Sequence, residues 1–500
     1  MHYIVTAKEM KSYDANTIEV LGIPSLVLME RAALSVCDVV TSYLNRIAYG
    51  KHKVLILCGT GNNGADGLAV ARLLSEKGTT TVICELGDET VASTEYKKQK
   101  EILTYCDVSY CSLHELESHK DAAVVVDAVF GIGLKREVTG EFAFAIESVN
   151  AWNGYRIAVD IASGVSADSG KILGVGFMAD ETVTFAYAKR GQFIAPGKEY
   201  TGCLTISDIG ITDKSFLSDK PEAFTYDKED VEKLLPKRDD AGNKGTFGKV
   251  LVIAGFENMA GAAVLCAKAA LTMGAGMVKV ISAPENKEII IGSCPELLYG
   301  TCEDLDSGLK WADVVVIGPG LGSSPAARAI LEKVLSENDL PIVVDADGIN
   351  LISMDNTLQK YLEDRAGQNT ETILTPHVGE LSRLSGFPVA DIKDSFMETV
   401  KNLAEAYGVI LVAKDARSVV AGPYGKLYLN VTGNSGMATA GSGDVLAGII
   451  GALLAQRMNG FDAGALGVYI HSLAGDVTAD KLSEYGVTAS KIIENIKEVT

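Results

Sequence analysis

The stretch KHKVLILCGTGNNGADGLAVARLL (residues 51–74) joins an apolar run to a glycine-rich turn and then to a second apolar segment. The run over 51–59 is rich in β-branched and long apolar residues and stops at Gly59, which predicts a buried strand; the residues beyond the turn predict a helix. The same pattern recurs in TTVICEL (80–86), AAVVVDAVFG (122–131) and YRIAVDIASG (155–164). A second series follows: GKVLVIAG (248–255), GMVKVISA (276–283), ADVVVIGPG (312–320), LPIVVDADG (340–348), TILTP (372–376) and VILVAKDA (409–416). Helical segments lie between these runs, and that alternation means parallel sheets with crossover helices. Ligands in such sheets bind beyond the carboxyl ends of the strands, where glycines and acidic residues collect here.

The charged, proline-containing segment over roughly 212–245 separates the two series. A cut near 220 gives two α/β domains, 1–220 and 221–500. They share strand character but no motif, so no internal repeat is predicted.

Composition narrows the function. With 45 basic and 65 acidic side chains the formal charge is −20, and 47% of residues are hydrophobic, which is globular. An acidic chain lacks the basic face that nucleic acid needs, yet can still hold a nucleotide through backbone N–H groups at helix N-termini. The nine cysteines, with no CxxC pair, read as free thiols in a reducing compartment. The N-terminus lacks a signal pattern, and no apolar run reaches the ~18 residues of a membrane span. The expectation is a cytoplasmic protein with neither nucleic acid nor membrane as partner.

Several catalytic motifs are missing. Residues 242–249 (GNKGTFGK) miss the spacing of a phosphate-binding P-loop, HELESH (114–119) sets its histidines five apart rather than the four a zinc helix needs, and no GxSxG occurs. What is present lies at strand ends. Gly59, Gly61, Gly64 and Gly67 allow a sharp turn toward an anion, and Asn62, Asn63 and Asp66 add groups that can read a polar ligand. Asp127 and Asp160 end two further strands. Each alone could cap a helix. With Asn63 and Ser163, Asp127 could instead form a hard-cation site or a proton-transfer site. In the second half, NSGMATAGSGDVLAGIIGALLA (434–455) runs a glycine-rich turn directly into an apolar helix. The N–H groups of Ser442, Gly443 and Asp444 are expected to be free for a phosphoryl group, with the Asp444 carboxylate as base toward an attacking hydroxyl. DADGIN (345–350) and TPHVGEL (375–381) place Asp345, Asp347, His377 and Glu380 at neighbouring strand ends.

Residues 1–215, through IPSLVLMERAA (23–33), GNNGADG (61–67), DAVFGIGL (127–134) and DIASGVSADSG (160–170), resemble the NAD(P)HX epimerases of nicotinamide-nucleotide repair. The resemblance implies that Asn62, Asn63, Gly64, Ala65, Asp66, Gly131, Ile132, Gly133, Leu134, Lys135, Arg136, Glu137 and Asp160 contact the hydrated cofactor. It implies that Asn63, Asp127 and Ser163 hold K⁺, and that Asp127 is the acid–base residue for epimerisation at C6. Ala65 stands where the family usually has Gly, and Ala162 where it has Pro; Ala65 fits without strain if its φ is negative.

KGTFG (244–248), GPGLG (318–322), DADGIN, TPHVGE and AGSGD, in that order over 225–500, resemble the ADP/ATP-dependent NAD(P)H-hydrate dehydratases of the ribokinase-like superfamily. The implied fold is a Rossmann-like three-layer α/β domain followed by a ribokinase-like α/β domain. The implied chemistry is phosphorylation of the C6 hydroxyl by ADP or ATP, ADP being expected, followed by loss of phosphate. Phosphate leaves where hydroxide would not. Asp444 would take the hydroxyl proton, Ala263, Gly322, His377 and Asp444 would lie along the hydrate, and Gly443 with Lys414, Asp415, Ala416, Arg417 and Ser418 would hold the nucleotide. Asp345 and Asp347 would meet Mg²⁺ through water. Asp415 and Ala440 stand where the family has glycine, and Asp415 would either repel phosphate or face solvent. The partners implied are NADHX, NADPHX and the nucleotide, with self-association into a homo-oligomer. Two rivals stay open: a ribokinase-like kinase that releases a stable phosphorylated product, and a first half that binds nucleotide without catalysis.

Overall fold

The computed structural model describes residues 1–47, 52–337, 339–368 and 370–500, so Lys51 of the opening run lies outside the described residues. The chain divides into two compact units, Tyr3–Glu222 and Ala223–Thr500 with Met1–His2.

The first unit is built on seven parallel strands, β1 (Lys53–Cys58), β2 (Thr80–Glu85), β3 (Ser109–Cys111), β4 (Val124–Ala128), β5 (Tyr155–Val159), β6 (Glu181–Phe185) and β7 (Cys203–Ser207), ordered β3-β2-β1-β4-β5-β6-β7. Alternate side chains of β1 serve two separate cores. Val54, Ile56 and Cys58 pack with residues of α2 (Ser25–Leu44) and α3 (Asn62–Glu76), whereas Leu55 and Leu57 pack with Val125, Ile146 and Phe177. Both faces are covered, which is why these strands read as unbroken apolar runs rather than alternating ones. The order reverses between β1 and β4, and the crevice opens beyond their carboxyl ends. The helix α1 (Ala7–Ala15) starts at a Thr6–Glu9 capping box.

The second unit carries β8 (Ala223–Thr225), β9 (Lys249–Ile253), β10 (Met277–Ile281), β11 (Leu298–Gly300), β12 (Val314–Ile317), β13 (Ile342–Val344), β14 (Thr372–Leu374), β15 (Ile410–Ala413), β16 (Val419–Ala421) and β17 (Leu427–Leu429). Their order is β11-β10-β9-β12-β13-β14-β15-β16-β17-β8, parallel as far as β15 and antiparallel through β16 and β17. The apolar helix α6 (Ser442–Ala455) packs on α4 (Ala260–Thr272) and on α7 (Gly460–Leu482). Its residues Val445 to Ala455 are all buried, as a helix apolar on every side must be. The charged segment over 212–245 contains β8 and a helix, Lys228–Leu234, opened by the capping box of Asp227 and Asp230. Among the described residues no helix is long and apolar enough to cross a membrane.

Candidate functional site

The glycine turn after β1 closes on itself. A Cβ on Gly64 would sit 1.7 Å from the Gly59 carbonyl oxygen, so only glycine permits the approach. Gly61 caps α3 without a side-chain bond, and the N–H groups of Asn62, Asn63 and Gly64 find no acceptor among the described residues. Ala65 is fully buried inside α3 and lies outside the left-handed region, so its methyl is unstrained. The turn borders a cavity of about 980 Å³. Of the residues expected there, Asn62, Asn63, Asp66, Asp160 and Gly131 through Arg136 line it; Gly64, Ala65 and Glu137 do not.

Asp127 and Ser163 are fully buried and also lie outside the lining. Ser163 donates its hydroxyl to Asp127 Oδ1 at 2.6 Å and its N–H to Oδ2 at 2.7 Å, and Val129 N–H reaches Oδ1 at 3.1 Å. Phe130 N–H donates to Ser163 Oγ at 2.8 Å, so this pair anchors the loop that leads to Gly131. Burial raises the Asp127 carboxyl to about 6 against those three donors. Asn63 lies against Gly131, and its buried side-chain nitrogen has no partner among the described residues. A half-turn of that amide presents its oxygen at the same point. One carboxylate with a hydroxyl and an amide suits a singly charged hard cation, which would sit behind the cavity wall. Direct proton exchange between Asp127 and a bound ligand is a different matter. It needs exposed surface, and the carboxylate has none.

Sequence reasoning missed Lys189. Its ammonium is buried without solvent contact, pairs with Asp160, and donates to Thr184 Oγ1 at 2.7 Å and the Phe185 carbonyl at 3.2 Å. Asp160 has φ 65°, strained for a residue with a side chain, and the Gln192 amide donates to its carbonyl at 2.8 Å. Asp14 and Glu95, from segments with no motif, line the cavity as well.

In the second unit Gly441 has φ 86° at the N-cap of α6, and a Cβ there would meet Leu265 at 2.4 Å. Ser442 N–H donates to the Thr439 carbonyl at 3.3 Å, which corrects the expectation that all three N–H groups are free; those of Gly443 and Asp444 have no acceptor among the described residues. The Ser442 hydroxyl instead meets His471 Nε2 at 3.2 Å, and burial holds that imidazole neutral, down to about 4. Lys414 Nζ binds Asp345 Oδ1 at 2.7 Å and lies 3.1 Å from where a Gly443 Cβ would stand. The Thr375 hydroxyl shares Asp345 Oδ1 at 2.6 Å. Asp444 is raised to about 7 by burial first and by Asp345 next, with Lys414 opposing. Gly322 N–H donates to Asp347 Oδ2 at 2.8 Å, and Ala346, between the two aspartates, has φ 47°.

The remaining expected contacts are placed unevenly. His377 caps α5 (Val378–Ser385), its Nδ1 accepting from Gly379 N–H at 2.9 Å, and its Nε2 lies 3.5 Å from Oε1 of the buried Glu380. His377 and Lys414 form a parallel bridge, which brings the hydrate and nucleotide candidates side by side. Asp415 and Ala416 are exposed, which takes the Asp415 side chain to solvent. The Arg417 guanidinium donates to the Thr432 carbonyl at 3.1 Å, and the Ser418 carbonyl accepts from Asn430 N–H at 2.9 Å. Ala263 is fully buried on α4 and can shape a site only from behind.

A family model described as NAD(P)H-hydrate dehydratase matches residues 250–498, and one described as YjeF-related protein N-terminus matches 25–191. A bifunctional NAD(P)H-hydrate repair enzyme of Moorella thermoacetica is 36% identical over 513 residues, covering 98% of this chain and 95% of that one. The chain belongs to the bifunctional NAD(P)H-hydrate repair enzyme family. A second member, from Coxiella burnetii, is 36% identical over 89% of each chain. A ribokinase-like superfamily protein of Enterococcus faecalis shares 29% identity at a TM-score of 0.50, covering 56% of this chain and 98% of that one. Membership in the repair-enzyme family accounts for two unrelated strand-end sites in one chain.

Proposed function

We propose that the chain repairs hydrated nicotinamide nucleotides in two steps. Residues 1–220 interconvert the R and S epimers of NADHX and NADPHX, and residues 221–500 dehydrate the S epimer at the expense of ADP or ATP. The observation that carries this reading is the first turn of α6, where a carboxyl poised near 7 stands beside two free N–H groups and the Lys414 ammonium.

Asp444, once ionised, accepts the proton of the C6 hydroxyl as its oxygen attacks the terminal phosphorus of the nucleotide. The N–H groups of Gly443 and Asp444 bind the charge that gathers on the transferring phosphoryl oxygens. Lys414 balances the same charge from the nucleotide side, and Asp345 with Thr375 holds it there. Phosphate then departs with the C6–O bond and a C5 proton, which restores the double bond. Asp345 and Asp347 each have one oxygen already committed, and no group of three or more His, Cys, Asp or Glu residues fit for a metal occurs among the described residues. Mg²⁺ would therefore complete its shell with water and phosphate oxygens, and would neutralise phosphate charge.

In the first unit the unbonded N–H groups of α3 suit the diphosphate of the dinucleotide. Asn63, Asp127 and Ser163 would hold K⁺ and stiffen the wall behind it. The same reading includes self-association and a cytoplasmic location.

The test is the pure S-hydrate with ADP and, separately, ATP, followed at 340 nm. Recovery of the dihydronicotinamide absorbance is expected. Accumulation of a stable phosphorylated hydrate, with no gain at 340 nm, would establish the kinase instead.

A further inference from the structure

The epimerisation needs one group to take a proton and another to give one, and Asp127 is fully buried and outside the cavity lining. The carboxylates that do line the cavity are Asp14, Asp66, Asp88, Glu95, Glu141 and Asp160. Two of them are held in opposite ways. Asp160 is fixed by the buried Lys189 side chain, with the Thr184 hydroxyl at 3.2 Å and the Phe185 N–H at 3.3 Å. Asp66, on the second turn of α3, has neither ion pair nor hydrogen bond among the described residues. Three carboxylates face it: Asp160 from the end of β5, Asp14 from α1 and Glu95 from the helix Thr94–Leu103. Burial first, and then those charges, push its carboxyl far toward the neutral form. The basic residues on the cavity wall other than Lys189 are Lys11, Lys135 and Arg136. On one cavity wall, a carboxyl held by a basic side chain and two donors stands as a base, and one with no donor or cation beside it among the described residues as an acid.

Resting on the epimerase reading of this unit, we propose that Asp66 and Asp160 are the acid and the base of the C6 epimerisation, with Lys189 the positioning residue that anchors Asp160. C6 of the hydrate bears a hydroxyl and is bonded to ring N1. Asp160 takes the hydroxyl proton, the oxygen lone pair forms a carbonyl, and the C6–N1 bond breaks. The electron pair of that bond takes the Asp66 proton at N1. Rotation about C5–C6 turns the other face of the aldehyde to N1. N1 then attacks C6, its proton returns to Asp66, and Asp160 returns its proton to the oxygen. Both carboxyls end as they began, and nothing is consumed.

The test incubates pure R-hydrate with the full chain in the absence of nucleotide and reads R-to-S conversion by chromatography against a protein-free blank. The parent converting no faster than the blank would remove the epimerase reading itself. With an active parent, Asp66→Asn and Asp160→Asn are each expected to slow conversion about 100-fold or more. The parent rate falls at alkaline pH as Asp66 ionises; Asp66→Glu keeps that fall, and Asp66→Asn loses it. Lys189→Met lowers kcat more than it raises KM. Protection of the Lys189 amine from acetylation reports that the first unit of each Asp66 and Asp160 variant is folded, and turnover of S-hydrate with ADP reports the same of the second. Either Asn variant within threefold of an active parent, or an alkaline limb unchanged in Asp66→Asn, overturns the pair.

Discussion

The carboxyls of Asp444, half-buried, and Asp127, fully buried, are both raised above their ordinary range, and their surroundings separate them. Asp127 spends its lone pairs on three donors and has no surface. Asp444 accepts no hydrogen bond among the described residues and stands at a helix N-terminus beside Lys414, open to exchange a proton. A base must be ionised to work, so turnover of S-hydrate should rise with pH through about 7, the value to which Asp444 is raised. Asp444→Asn should lose that rise and lower kcat about 10²–10⁴-fold, with the KM for ADP changed only a few-fold, as pH–rate profiles would show. Stability follows with the opposite sign. A carboxyl raised in the folded state binds its proton more tightly there than in the unfolded chain, so this group's contribution falls as pH climbs from about 4 to about 7. The Tm of Asp444→Asn should therefore exceed the parent's at pH 8 and approach it at pH 4. Both aspartates were legible in the sequence: Asp127 because a charged residue ending an apolar strand stands out, and Asp444 because it follows a glycine-rich turn and opens an apolar helix. Lys189, Asp14 and Glu95 were not: each comes from a segment without a motif, and only the closed fold brings them to one cavity.

At the scale of elements, the long parallel strands were legible for the reason that they are buried on both faces. The short strands β8, β16 and β17 were not; β13 and β14 are equally short, and were read only because each continues the series of apolar runs separated by helical segments. The charged stretch over 212–245 reads as a separator, yet Phe224 and the Asp227 cap make it part of the second unit's structure. The turn into α6 rests on backbone that only glycine adopts freely. Gly441→Ala should cost about 1–3 kcal/mol through the left-handed φ and the Leu265 contact, seen as a lowered midpoint in urea unfolding. Because Asp345 and Asp347 each have one oxygen already committed, the ion should come with the nucleotide. Chelation should then abolish S-hydrate turnover while leaving the folding midpoint of the nucleotide-free chain unchanged.

For the molecule as a whole, two chemistries sit in two units, each with its own sheet and its own strand-end site. Interconversion of the epimers feeds the dehydration, and the intermediate is a small molecule free to diffuse. Two chains broken in different places should therefore repair together what neither repairs alone. A mixture of Asp444→Asn and Asp66→Asn should convert R-hydrate and ADP to the dihydronicotinamide far faster than either variant by itself, read at 340 nm. Failure of the mixture, with each variant retaining its other activity, would mean that the hydrate does not pass through solution.

The Lys189–Asp160 pair has a consequence for anyone who labels this protein. An amine sealed from water cannot meet an acylating reagent, so acetic anhydride applied to the folded chain should modify Lys135 and spare Lys189. Peptide mass mapping would then turn position 189 into a gauge of how far the first unit has opened, readable in a mixture and blind to catalysis.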